Sequence, residues 1–376
     1  MIRVLNIQET IGSGGVERRR LSLSKLLDKQ KFELKIICTK TEGPTVDEIR
    51  ANGVEVIPIG LLNSPFQISQ HKKVLQIIKD FKPHIIHGAV FEGVTMAALN
   101  GFIKNVPVII IEETSDPQNR RWKGHLLMKF FAFLSDKVIG VSPSTTTYLL
   151  NKLKINKNKV VLINNGVRVP TILNNQMKQE LKDTLNISEN EIVIGSVGRM
   201  LIEEHKRFKD LIKAFHNLTK KDIKVKLVLV GDGPEREKYE KLVEELGIKN
   251  KVIFVGYQSE VSKYYSIFDV FSLVSAYEAF GLVLAEAMLH KVPVIATKVG
   301  GMQYIVDNDK TGFLVEKYDI DAIENKLELL CLDDNLRKEM GENGFKKALI
   351  HYTEERYVKD IENLYLGLIE QKKVKN

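Results

Sequence analysis

Short apolar runs rich in β-branched residues recur along this chain from end to end, each separated from the next by a longer amphipathic stretch. Runs such as Arg3–Ile7, Leu34–Cys38, Glu55–Ile59, His84–His87, Val106–Ile111, Lys137–Val141 and Val160–Ile163 have strand length, whereas Gly15–Gln30 and Val74–Phe81 carry helical spacing. Alternation of this kind predicts parallel sheets covered by helices on both faces. A polar stretch after Pro170, TILNNQMKQELKDTLNISENE, interrupts the pattern and reads as a linker with one short helix. The alternation restarts at Ile192–Val197 and runs through Lys226–Val230, Val252–Val255, Val270–Val274, Val292–Thr297 and Gly312–Val315, before one long amphipathic helix at Glu354–Glu370. The expected fold is α/β, with two doubly wound domains and a boundary near residues 168–188. Ligands of such sheets bind at the carboxyl ends of the strands, so two domains facing each other place the active site in the cleft between them.

The 376 residues suffice for two ordinary domains, and 44% hydrophobic with 28% charged residues is globular material. No apolar run approaches the roughly 18 residues needed to span a bilayer. The chain enters a strand-like alternation at once, MIRVLNIQET, which argues against a signal peptide. Cys38 and Cys331 are the only cysteines, so neither a disulfide framework nor a zinc ligand set is expected, and a reducing cytoplasm is the default location. The formal net charge of +8 draws a protein toward phosphorylated ligands, anionic membranes or nucleic acid. With the charge spread out and no nucleic-acid module in view, a polyphosphate ligand or anionic lipid is favoured over DNA or RNA.

Residues 275–300, SAYEAFGLVLAEAMLHKVPVIATKVG, carry the sharpest chemistry. Glu278 and Glu286 lie eight positions apart, with Phe280-Gly281 and a run of helix formers between them and a strand from Pro293 to Thr297 behind. A helix starting near Gly281 aims its first N–H groups outward, where a phosphate is favoured, while ionised carboxylates suit neighbouring hydroxyls. Phosphate beside hydroxyls is half of a nucleotide-sugar. Gly198-Arg199 ends one strand and Lys206 opens the following helix; the two cations can neutralise a diphosphate leaving group, and they can equally be solvated surface charges. The turn Gly12-Ser13-Gly14-Gly15 follows a strand, but Glu17 stands where a dinucleotide fingerprint has its third glycine. Two adjacent glycines in a βα turn favour close backbone approach to a ligand over a plain tight turn. Gly231-Asp232-Gly233-Pro234 reads as a structural turn, and Gly256-Tyr257 either as a turn or as the wall of a base pocket. Asp307-Asn308-Asp309 and Asp319-Ile320-Asp321 read as a turn and a helix cap, not as a metal site. His87, His125 and His205 have no partner visible in sequence. Asn119–Leu134, NRRWKGHLLMKFFAFL, is basic and then apolar; it fits a helix lying on an anionic membrane or one burying a face in its domain.

Together, GGVER at 14–18, NNGV at 164–167, VGRM with Lys206, LVLVGDGPE at 227–235, VIFVGY at 252–257 and YEAFGLVLAEAM at 277–288 resemble the retaining glycosyltransferases of family 4 with the GT-B fold and its E-x7-E signature. The resemblance spans almost the whole chain. It implies an acceptor-side Rossmann-like domain at 1–170, a nucleotide-sugar domain at 171–352, and a last helix at 353–376 crossing back to the first domain. Gly14 and Gly15 would lie against the donor phosphates, with Gly198, Gly256 and Tyr257 also on the donor side. Arg199 and Lys206 would neutralise the diphosphate, Glu278 would contact the donor sugar, and Phe280, Gly281 and Leu282 would offer backbone N–H groups. Glu286 would hold the ribose diol. Glu113 stands where many relatives have a histidine, and is the acceptor-side catalytic candidate. The other departures are Arg168 for the Asp of NGVD, Lys291 for a glycine and Tyr304 for a glutamate.

The resemblance implies a metal-independent, retaining transfer of a hexose or N-acetylhexosamine from a UDP- or GDP-sugar, with no cofactor. The acceptor would be a saccharide, possible partners including a lipid-linked saccharide and an anionic membrane surface. A nucleotide-sugar epimerase of the same fold and a non-catalytic nucleotide-sugar-binding subunit are the alternatives.

Overall fold

The computed structural model describes residues 1–372 apart from Ser13, Pro117, Asn119, Glu203 and Glu204. The middle of the first glycine turn, the first residue of the basic stretch and the last four residues of the closing segment thus lie outside the described residues. The chain forms two compact units, one made of residues 1–166 with 354–376 and the other of residues 167–353.

The first unit holds a seven-stranded parallel sheet of β1 (Ile2–Ile11), β2 (Phe32–Thr41), β3 (Glu55–Pro58), β4 (Ile85–Gly88), β5 (Val108–Glu113), β6 (Lys137–Gly140) and β7 (Val160–Leu162). Its spatial order is β3-β2-β1-β4-β5-β6-β7, so the winding reverses between β1 and β4. Isoleucines and valines at these positions are buried on both faces, which suits a sheet sandwiched between helices. β1 runs past the apolar alternation through Gln8 to Ile11, because β2 continues beside it in register to Thr41. The helix expected at Val74–Phe81 begins earlier, at Ile68; its first turns are mostly polar and so carry no apolar periodicity.

The second unit holds a six-stranded parallel sheet of β8 (Ile192–Val197), β9 (Val225–Val230), β10 (Val252–Gly256), β11 (Val270–Leu273), β12 (Val294–Thr297) and β13 (Gly312–Val315). The order β10-β9-β8-β11-β12-β13 puts the reversal between β8 and β11. The fold class expected from the alternation, α/β with two doubly wound domains, is the one observed. The polar linker stretch carries a single helix, Asn175–Thr184, capped by Asn174 and with no buried residue.

The closing helix, Glu354–Gln371, belongs to the first unit. Its Tyr357, Val358, Ile361, Tyr365 and Leu368 are buried in the core formed by β1, β2 and the glycine-loop helix Gly15–Leu26. Arg356 anchors its start by donating to the Asn164 and Asn165 carbonyls at 2.5 and 3.1 Å.

Candidate functional site

In a doubly wound sheet, a crevice opens where two neighbouring strands send their connections to opposite sides. In the second unit that point lies between β8 and β11, and the loops after these two strands carry the sequence candidates. Gly198 follows β8, and its N–H donates to the Val230 carbonyl at 3.0 Å. Arg199 is exposed, whereas Met200 is buried. The sequence reading placed Lys206 at a helix start, but the helix begins at Phe208. Arg207 intervenes in the left-handed region, φ 51°, and Lys206 lies in the preceding turn with Nζ 2.5 Å from Glu278 Oε2. Both side chains are about one-fifth exposed, so the pair sits at the rim of the fold and is open to a ligand. The two loops are knitted further by Ala276 N–H, which donates to the His205 carbonyl at 2.8 Å. The ring of His205 meets Tyr277 edge-on.

Beyond Glu278, the chain turns into the helix Leu282–Leu289 through Gly281, whose φ of 102° an L side chain rarely adopts. The first N–H groups of this helix have no partner within it, and its dipole favours an anion there. Phe280 is buried against Tyr352 and pins the turn, while Leu282 is half-buried. Glu286 lies on the helix. Tyr265 donates its hydroxyl to Glu286 Oε2 at 2.9 Å. His290 Nδ1 lies 2.7 Å from the Glu286 carbonyl, which only accepts, so Nδ1 carries the proton and Nε2 accepts from Ser262 Oγ at 2.9 Å. Burial holds the His290 pKa below its usual value, and the ring stacks on Tyr265 at 5.1 Å. Tyr265 thus orients the Glu286 carboxylate and His290 stacks against Tyr265; neither residue stands out in the sequence. The spacing of His290 four residues after Glu286, on one helix face, was the available signal.

Gly256 ends β10 on the far side of β9, with φ 77° and its carbonyl accepting from Gly231 N–H. Tyr257 is exposed. Asp319 caps a helix by accepting from Ala322 N–H, and Asp307 pairs with Lys347 at 2.8 Å. Among the described residues, no group of three or more His, Cys, Asp and Glu side chains is placed to hold a metal ion.

In the first unit the reversal lies between β1 and β4. The glycine turn follows β1, with Gly14 as the N-cap of the helix that Gly15 opens. The Glu17 carboxylate folds back against Gly14, so the residue that broke the fingerprint occupies the space a Cβ there would need. Glu113, at the end of β5, is buried and chelated by Arg120 at 2.5 and 2.9 Å, with Ser115 Oγ at 2.8 Å. Its neighbour Glu112 points to the other face of the strand and is the centre of a buried cluster. Arg19 and Arg20 reach it at 2.5 and 2.9 Å, and His87 Nε2 lies 2.9 Å away. Burial alone would raise the Glu112 pKa, but the two guanidiniums hold it well below the usual range. Burial lowers the His87 pKa, so the ring is neutral; its Nδ1 accepts from the Tyr365 hydroxyl of the closing helix at 2.7 Å. His125 makes a 2.7 Å bond with Tyr148. Nothing in the sequence distinguishes Glu112 from Glu113.

The structure therefore brings Gly198, Lys206, Glu278 and Gly281 together, puts Glu286 further along the same helix, and leaves Gly256 and Tyr257 at the end of β10, with β9 and β8 between them and β11. Gly14, Gly15 and Glu113 belong to the other unit.

Comparison with solved structures defines the fold. The Anabaena protein HepE in complex with UDP-glucose superposes with a TM-score of 0.86 at 19% identity, covering 98% of this chain and 100% of that one. The fold is GT-B. Residues 13–169 match the family described as Glycosyltransferase Family 4, and residues 177–347 match Glycosyl transferases group 1. The capsular polysaccharide biosynthesis glycosyltransferase CapM of Staphylococcus aureus is 26% identical over 91% of each chain. The N-acetyl-alpha-D-glucosaminyl L-malate synthase of Bacillus anthracis is 32% identical over 66% of this chain, which spans 64% of that relative's length. The chain belongs to the GT-B glycosyltransferases.

Proposed function

We propose that this protein is a retaining glycosyltransferase that moves a hexose or N-acetylhexosamine from a UDP- or GDP-sugar to a saccharide acceptor. The observation that carries this reading is the Lys206–Glu278 contact at the reversal of the second sheet, beside the helix that starts after Gly281. One group there suits a diphosphate, one suits sugar hydroxyls, and the helix N-terminus suits the phosphate again. Arg199 projects from the same strand end as a second cation. The bond between the anomeric carbon and the diphosphate breaks, and the electron pair leaves with the nucleoside diphosphate. The acceptor oxygen bonds to the same face of that carbon, and its proton passes to the departing phosphate oxygen. Arg199 and Lys206 stabilise the charge that develops on the diphosphate, so the reaction runs without metal or cofactor. Glu286, oriented by Tyr265, holds the ribose diol. A lipid-linked saccharide acceptor, at the cytoplasmic side of a membrane where surface polysaccharide is assembled, suits the basic charge and the likeness to the capsular enzyme.

The test is donor binding and transfer with purified variants. Glu286→Ala should abolish nucleotide-sugar binding in a calorimetric titration. Arg199→Ala and Lys206→Ala should each lower kcat by roughly 100- to 1000-fold, as loss of a charge-stabilising donor does. Wild-type transfer should persist in EDTA. Near-wild-type transfer by all three variants would overturn the assignment.

A further inference from the structure

The basic helix of the first unit, Trp122–Leu134, leaves two apolar faces. Its inner face buries Met128, Phe131 and Ala132 in a core shared with Val94, Ala98, Ile111 and Val138. That packing is what a domain helix needs. The outer face is the unexpected one: Trp122, Leu126, Phe130 and Phe133 are 65%, 57%, 45% and 77% exposed. At 100° per residue these four fall within one stripe less than a quarter-turn wide, with Lys129 along one edge and Lys123 along the other. A solvated helix places polar side chains there, so this stripe fits a partner that is apolar at depth and anionic at its edge.

We propose that this face docks on an anionic lipid bilayer, the four apolar side chains entering the headgroup–acyl boundary and Lys123 and Lys129 meeting the phosphates. The helix contains no Asp or Glu, so no acid repels an anionic surface along its length. The Lys123 ammonium lies 5.7 Å from the Trp122 ring, an amphipathic pairing suited to headgroup depth. Among the described residues no helix is long and apolar enough to cross a membrane, so contact through this stripe is interfacial. Charge complementarity favours lipid over a second copy of this chain, which carries the same +8. The Arg120–Glu113 pair ties the approach to this helix to the carboxyl end of β5. A docked stripe therefore brings that strand end near the bilayer, where a lipid-linked acceptor would be met. This last point rests on the proposed transfer to such an acceptor; the docking itself does not.

Trp122 is the only tryptophan in the chain, so its emission reports on this helix alone. With vesicles of phosphatidylglycerol and phosphatidylethanolamine, the emission should shift to the blue and be quenched by brominated acyl chains. Phosphatidylcholine vesicles should leave it unchanged, and high salt should weaken the shift. The variant Leu126→Gln/Phe130→Gln/Phe133→Gln should lose at least tenfold in vesicle affinity while keeping UDP binding and transfer to a water-soluble acceptor. Unchanged Trp122 emission on anionic vesicles would overturn the proposal, as would undiminished vesicle binding by the triple variant. So would a dimer that the triple variant dissolves while vesicles leave the wild-type emission unmoved. Vesicle binding with no transfer to any acceptor would instead overturn the enzymatic reading and leave the docking intact.

Discussion

Two adjacent carboxylates show how a residue acquires its role. Glu112 and Glu113 end the same strand, and strand alternation sends them to opposite faces. One meets Arg19, Arg20 and His87, the other Arg120. Sequence alone gives no means to assign which is which, because the partners come from other elements. The buried histidine carries a pH signature. With a folded pKa below its ordinary 6.5, His87 stays neutral while the unfolded chain takes up a proton, so its contribution to stability is lost as pH falls below 6.5. Urea unfolding between pH 8 and pH 5 should show falling stability, and His87→Asn should flatten that slope after allowance for the other buried histidines. A second residue-scale expectation concerns Tyr265, which touches Glu286 and no reacting group. Tyr265→Phe should raise KM for the nucleotide-sugar by roughly fivefold or more, from loss of a hydrogen bond to a charged group, with kcat little changed. Steady-state kinetics at varied donor concentration separates the two.

Among the elements, the helix Leu282–Leu289 depends most on a single backbone position. Gly281 takes φ 102° with the Met302 side chain close to where a Cβ would stand. Gly281→Ala should cost about 1–2 kcal/mol in urea unfolding from backbone strain. It should also weaken UDP binding, because the first turn of the helix would move with its cap. The helix itself was legible, since a run of good formers between a glycine and a β-branched strand admits little else. The basic helix Trp122–Leu134 was legible as a helix but not as a surface. Its apolar residues fitted burial or a membrane equally well, and only the packing of Met128, Phe131 and Ala132 separated the inner face from the outer one.

For the molecule as a whole, the closing helix is decisive. Tyr357, Ile361, Tyr365 and Leu368 fill the core of the first unit, although they follow the second unit in sequence. A chain ended after Thr353 should lose amide protection across residues 1–166 while residues 167–353 keep theirs, as hydrogen exchange would report. Full-length protein should be stabilised by UDP by about 2.7 kcal/mol at a hundred times Kd, a rise in Tm that Glu286→Ala abolishes. The amino-acid sequence by itself determined the alternation of strand and helix, the two sheets, and the loop-helix-strand segment that carries Glu278 and Glu286. These are local patterns, set by periodicity and turn chemistry within a few residues. Tertiary structure alone decided the strand order, and with it the two reversals where ligands of such sheets bind. It also decided that Lys206 meets Glu278 across 72 residues of chain, and that Tyr365 reaches His87 across 278. Such contacts depend on how the sheets close over their cores, and no local pattern encodes that.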